Sequence, residues 1–282
     1  MKNKNFAVGQ NVTAIVITHN EEINIEACLA CLRWCKHVLV FDAHSSDKTV
    51  QLSEKYGAVV VMQDRNTDFA QVRSKAALMV ETPWLIYIDA DERVSPTLAK
   101  EICENIENSS QYEVGVLALP RRNICYGSEL KYGGWNNDVV ERVFKKDVLH
   151  DWVGEIHESP IYDGQKKVLK NKLLHLTHRN TAVNLRKSAD WTPIEAQLLV
   201  KGLKKPITRK TILRKGIMEF YRRYFKKKGH KDGMTGFVES LVQAMNRMMV
   251  YIQVWELQCR PSLTERYRKK DDEMLNLWKE YK

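Results

Sequence analysis

The feature that most restricts this chain's fold is a set of apolar, β-branched runs at residues 12–17, 37–41, 58–62 and 84–88, none of which alternates with polar residues. A strand wetted on one face alternates, so continuous runs predict strands covered on both faces, as in a parallel sheet flanked by helices. The segments between them carry helical spacing. Residues 21–34 bring Ile25, Cys28, Leu29 and Leu32 to one side, residues 47–56 open on a serine and aspartate cluster suited to a helix start, and residues 70–80 form a third helix. Strand and helix in alternation predict an α/β domain with a mostly parallel central sheet.

Beyond Asp91 the pattern changes. Residues 97–106 predict a helix, 114–119 a strand, and 140–144 a short strand inside an irregular region, 123–163, rich in Gly, Trp and Tyr. Irregular segments on a rigid scaffold commonly carry ligand contacts. From Val183 the spacing is helical throughout, with a hairpin of 212–228 and 234–258 around the turn Gly-His-Lys-Asp-Gly. The expected organisation is one domain over 1–182, with halves at about 12–95 and 96–182, followed by a helical, basic extension over 183–282. At 282 residues and 44% hydrophobic, the chain can bury a substantial core.

In a parallel α/β sheet, ligands bind beyond the carboxyl ends of the strands. Those ends hold Thr18, Asn20 and Glu21, then Asp42, then Asp89, Asp91 and Glu92. Mg²⁺ or Mn²⁺ takes one or two carboxylates and completes its shell with phosphate oxygens and water, so a sparse acidic site suits a metal–diphosphate complex. Asp89-Ala90-Asp91 supplies such a site, although Asp-x-Asp also serves as a turn or cap. Neighbouring strand residues point to opposite faces, so the strand must break after Asp89 if both carboxylates are to reach one ligand. Asp42 is placed either to hydrogen-bond a nucleotide or to serve as a turn or cap residue for the following helix. The sequence has no Gly-rich dinucleotide fingerprint and no GxxxxGK[ST] loop, which removes the usual phosphate cradle of oxidoreductases and nucleoside triphosphatases. A sugar nucleotidyltransferase would likewise need a Gly-rich loop near the start.

VTAIVITHNEE, VLVFDAHSSDKT, the arginine of FAQVRSKAA and WLIYIDADE together resemble the nucleotide-binding half of family 2 glycosyltransferases of the GT-A fold, over residues 12 to about 95. The second half, with YGGWNNDVVERVFKKD, WVGEIHESP and LLHLTH, looks like the bacterial lipopolysaccharide core glucosyltransferases that act on inner-core heptose. The resemblance implies an inverting, metal-dependent transfer of a sugar, glucose first, from a UDP-sugar to a glycan or lipid-linked acceptor. A different surface polysaccharide is the alternative acceptor. By the same resemblance Thr18, Asn20, Glu21 and Asp42 contact the nucleoside, Arg73 lies near the diphosphate, Asp89 meets the ribose or the metal, and Asp91 holds the metal. Glu158 stands about where the family places its base, with Glu155 and Asp138 as fallbacks. The chain departs from the family's common VDSGSTD in FDAHSSD, and from its frequent ED near the base in His157-Glu158. His175 and His178 are either a further metal ligand or diphosphate contact or histidines hydrogen-bonded in place, and Trp135 with Tyr132 is either a platform for a sugar ring or a pair of core aromatics beneath the GGW turn.

The formal charge of +10 is concentrated late, because between Lys201 and Lys231 Glu219 is the sole acid. Aromatics interleave there, as in Phe220, Tyr221, Tyr224 and Phe225, which suits an anionic membrane surface or an apolar stripe packed onto the catalytic domain or onto the second subunit of a homodimer. A basic nucleic-acid-binding protein is the alternative of a different class, with RNA binding by the tail as its discriminating observation. The first half is nearly charge-balanced and acidic at its strand ends, so no nucleic-acid partner is expected. The six cysteines include CLACLRWC, whose thiols alternate with Leu29 and Leu32 and read as core residues, not zinc ligands. With no apolar run of membrane length free of charges, the expectation is a cytoplasmic protein, peripheral at most on the inner face of the membrane.

Overall fold

The computed structural model describes residues 9–64, 68–109, 114–154, 158–203 and 205–281. The chain divides into two compact units, Met1–Arg179 and Asn180–Lys282.

In the first unit, β1 (Val12–Thr18), β2 (His37–Asp42), β3 (Val59–Met62) and β4 (Trp84–Asp89) are parallel in the order β3-β2-β1-β4. The side chains explain the continuous apolar runs: Ala14 and Val16 face a core with Ile25, Cys28, Leu32, Leu98 and Ile102, whereas Ile15 faces one with Phe41, Val72, Leu85, Tyr87 and Phe144. Helix α1 (Ile25–Ala30) and α4 (Pro96–Glu107) contribute to the first layer, and α3 (Phe69–Leu78) to the second. α2 (Thr49–Lys55) links β2 to β3. Helix α4 starts where its sequence dictates, since Ser95 Oγ accepts the Leu98 N–H at 3.2 Å and Pro96 occupies the first turn.

Past β4 the sheet becomes mixed. β5 (Glu92–Arg93) follows a two-residue break, and β6 (Val114–Cys125), β7 (Ser128–Glu129) and β8 (Val139–Lys145) add antiparallel pairs. β9 (Leu149–Val153) and β10 (Ser159–Tyr162) form a separate hairpin, while β11 (Gln165–Val168) and β12 (Leu173–Leu176) run parallel to β6. The path continues β4-β8-β6-β12-β5. Two expectations need correction here. Helix α1 is shorter than residues 21–34, and the backbone N–H groups of Glu21 and Glu22 ahead of it are tied to Thr49 Oγ1 and Asp47 Oδ2. The stretch 123–163 contains several strands, whose partners lie far off in sequence.

The second unit is helical: α5 (Thr181–Gly202), α6 (Arg209–Tyr221), α7 (Gly233–Gln258) and α8 (Leu263–Glu280). Helices α5, α6 and α7 pack around Ala196, Val250, Tyr251 and Val254. Gly216 lets α6 approach α7, because a Cβ there would meet Met248 Cγ at 2.4 Å. The predicted hairpin is α6 and α7, joined through a π-helical turn at Arg222–Lys226 and a 3₁₀ turn at Gly229–Asp232. All six cysteines are free. Among the described residues no helix is long and apolar enough to cross a membrane.

Candidate active site

The carboxyl ends of β1 and β2 are laced together by short polar side chains. Asn20 adopts a left-handed backbone, φ 55°; its N–H donates to Ser45 Oγ at 2.8 Å and its Oδ1 accepts the Ser46 N–H at 2.8 Å. Asp42 is fully buried and accepts from Thr18 Oγ1 at 2.9 Å, Ser45 N–H at 2.7 Å and Ser45 Oγ at 2.6 Å. Its carboxylate is thus engaged in fastening the loops after β1 and β2, a turn role and not a cap, since α2 starts at Thr49 without a side-chain cap. Glu21 Oε2 accepts from Asn24 Nδ2 at 2.7 Å at the foot of α1.

Asp89 ends β4 between two guanidinium groups. Arg73, from α3, approaches Oδ1 at 3.4 Å, and Arg142, from β8, donates to Oδ2. Arg73 is itself held over the rings of Tyr87 and Trp152, 5.2 and 5.0 Å from their centroids. Burial opposes the charge on Asp89, yet Arg142 first and Arg73 next hold its carboxyl well below the usual range. Arg142 also donates to Glu92 Oε1 at 2.6 Å, while Glu92 Oε2 accepts the Asp89 N–H at 3.0 Å. Glu92 is fully buried, and burial pushes its carboxyl above the ordinary value against the pull of Arg142.

The chain of contacts continues. Arg121 reaches Glu92 at 3.4 Å and forks onto Asp138 at 2.8 and 3.0 Å. Asn123 donates from Nδ2 to Asp138 at 2.9 Å and to the Trp135 carbonyl at 3.3 Å. With its amide nitrogen so committed, Asn123 Oδ1 is the acceptor for His175 Nδ1 at 2.7 Å. That contact places a proton on Nδ1 and turns Nε2 toward Asp91 Oδ2, 3.6 Å away. The break between β4 and β5 is what brings Asp91 to this position.

Arg73, Asp89, Arg142, Trp152 and Glu158 line one cleft of about 410 Å³. Glu158 stands at the entry to β10, beside Ser159 and Pro160 of the same wall. Burial raises its carboxyl pKa, partly offset by Arg73. Arg73 Nε, Arg142 Nε and the Trp152 indole N–H are buried with no hydrogen-bond partner among the described residues. Trp135 lies edge-on to His178, ring centroids 5.6 Å apart, and its backbone N–H bonds to the Tyr132 carbonyl. Asp138, a fallback base, is committed to Arg121 and Asn123. Glu155 and His157 lie outside the described residues.

Sequence reasoning did not assign Arg121, Asn123 or Arg142 to the site. Their signal was present in VVERVF and LALPRRN, where a charged or amide side chain interrupts an apolar strand.

Residues 13–189, more than half of the chain, match the family described as Glycosyl transferase family 2. The chain belongs to this family and is a glycosyltransferase. An uncharacterized glycosyltransferase of Rickettsia bellii (strain RML369-C) is 26% identical over 279 residues, covering 90% of each chain. Lipopolysaccharide core biosynthesis glycosyltransferase LpsC of Rhizobium meliloti (strain 1021) is 24% identical over 267 residues, 90% of this chain and 96% of that one. Among solved structures, S. aureus TarS 1–349 is 13% identical with a TM-score of 0.41, covering 93% of this chain and 92% of that one.

Proposed function

We propose that this enzyme inverts configuration while transferring a hexose, glucose first, from a UDP-sugar to a hydroxyl in the heptose region of a lipopolysaccharide core. The observation that carries the reading is the pairing of Asp91 with His175 beside a cleft that holds Glu158 and three arginines, Arg73, Arg121 and Arg142. The name of the LpsC relative supports the acceptor class, and another lipid-linked or surface glycan remains the alternative.

The donor set fits a divalent cation. At 3.6 Å, Asp91 and His175 are too far apart for a hydrogen bond and close enough for both to ligate one ion. Among the described residues no three His, Cys, Asp or Glu side chains converge on a metal, so the balance of the shell falls to diphosphate oxygens and water. The imidazole favours Mn²⁺ over Mg²⁺. When bound, the ion neutralises charge on the departing nucleoside diphosphate.

The protein's own groups supply the rest. Thr18, Asn20, Glu21 and the Asp42-anchored loops form the nucleoside end. Arg73 faces the diphosphate, and Asp89 holds Arg73 and Arg142 in register. Glu158 takes the proton from the acceptor hydroxyl as that oxygen attacks the anomeric carbon and the bond to the diphosphate breaks. Trp135 and Tyr132 line the acceptor side. Exposed Leu213, Ile217, Tyr221 and Phe225 among the lysines and arginines of α6 and its π-helical turn suit the anionic inner face of the membrane.

The test is hydrolysis and transfer across UDP-, GDP- and dTDP-sugars with and without Mn²⁺, using the wild type and Asp91→Ala. UDP-glucose should turn over with manganese alone, and Asp91→Ala should lose turnover with its circular dichroism unchanged. Metal-dependent transfer retained in that variant would overturn the site.

A further inference from the structure

Helix α8 begins with a complete capping box, Ser262 with Glu265, yet none of its residues is buried. Helices in proteins draw most of their stability from burying an apolar face, so eighteen residues without one call for a partner. Such a face exists. At about 100° per residue, Leu263, Tyr267, Met274 and Trp278 fall on a single stripe, with Tyr267 73% and Trp278 67% exposed. Tyr267, Met274 and Trp278 are exposed and Leu263 is half-buried, and large exposed apolar side chains gathered on one face mark a contact surface.

The charge of α8 is split along its length. Residues 263–270 carry four basic groups against Glu265, a net of +3, and residues 271–280 carry four acids against Lys279, a net of −3. The helix as a whole is neutral, so the repulsion of its acidic half offsets the attraction of its basic half to an anionic bilayer.

We propose that α8 pairs antiparallel with α8 of a second copy of this chain, about a two-fold axis between Lys270 and Asp271. In that register Tyr267 lies opposite Met274 and Leu263 opposite Trp278. The same register sets the basic half of each helix, residues 263–270, alongside the acidic half, residues 271–280, of the other. The apolar stripe and the charge runs therefore share one centre, which nothing within a single helix requires and which a self-complementary two-fold interface does require. A parallel pair would place like charges side by side.

The test is the light-scattering mass of the full chain across a concentration series. The expected mass is near twice 32.9 kDa, falling to the single-chain value in R268E/K269E/K270E and doubling again when D271K/D272K/E273K is added, because the exchanged runs complement each other once more. Tyr267→Ser with Trp278→Ser, which leaves the charges untouched, should also give the single-chain mass, with circular dichroism reporting the fold of each variant. A wild-type chain that is monomeric at every concentration, or a dimer indifferent to the charge reversal, overturns the proposal. So does a monomer that sediments with phosphatidylglycerol vesicles through Tyr267 and Trp278.

Discussion

Asn123 Oδ1 lies 2.7 Å from His175 Nδ1, and this contact aims the other imidazole nitrogen at Asp91. An orienting partner of this kind commonly contributes a factor of about 10–100 in metal affinity. Asn123→Leu should therefore weaken apparent Mn²⁺ affinity by about that factor, read by calorimetric titration in the presence of UDP. Unaltered affinity would show that His175 needs no such orientation.

Glu158→Gln should lower kcat by about 10²–10⁴ and leave UDP-sugar affinity close to wild type, since the amide keeps the shape and loses the base. Burial raises the pKa of this carboxyl, and a base works when deprotonated. The acid limb of the kcat/KM profile should therefore fall away at a higher pH than an ordinary glutamate would give. A limb at the ordinary glutamate value would assign the base elsewhere.

Arg142 neutralises both Asp89 and the fully buried Glu92. Arg142→Met leaves those carboxylates facing one another with less countercharge, and removing one partner of a buried pair costs about 3–5 kcal/mol. Thermal unfolding should show the loss as a lower Tm. Arg142→Lys, with one ammonium to share between the two acids, should recover part of it.

Asp138 is lowered in pKa because the hydrogen bond and charge of Arg121 outweigh its burial. A carboxyl depressed in the folded state contributes stability that is present above its unfolded pKa and lost as pH falls through the folded value. Asp138→Asn should consequently be less stable than wild type near neutrality, with the gap narrowing in acid. Tm measured against pH decides this, and a gap that widens in acid would contradict the assignment.

The parallel half of the sheet was legible because burial on both faces leaves its imprint in each strand separately, as Ala14, Ile15 and Val16 show. The strands of the second half were not. β11, with the sequence Gln-Lys-Lys-Val, is wholly exposed and is a strand through its pairing with Val114 to Ala118 of β6, a long-range condition that local pattern does not carry. The site divides in the same way. Asp89 and Asp91 announced themselves by following a buried strand, whereas Arg142 is separated by about fifty residues from the acids it neutralises. Its role emerges once β8 lies beside β4.

The hydrogen bonds between Asn20 and both Ser45 and Ser46 fasten the loops that follow β1 and β2 to one another. Loops that spring from separate strands would ordinarily open and shut independently. Here a displacement of one must carry the other with it, so the two loops move with a hinge count of one.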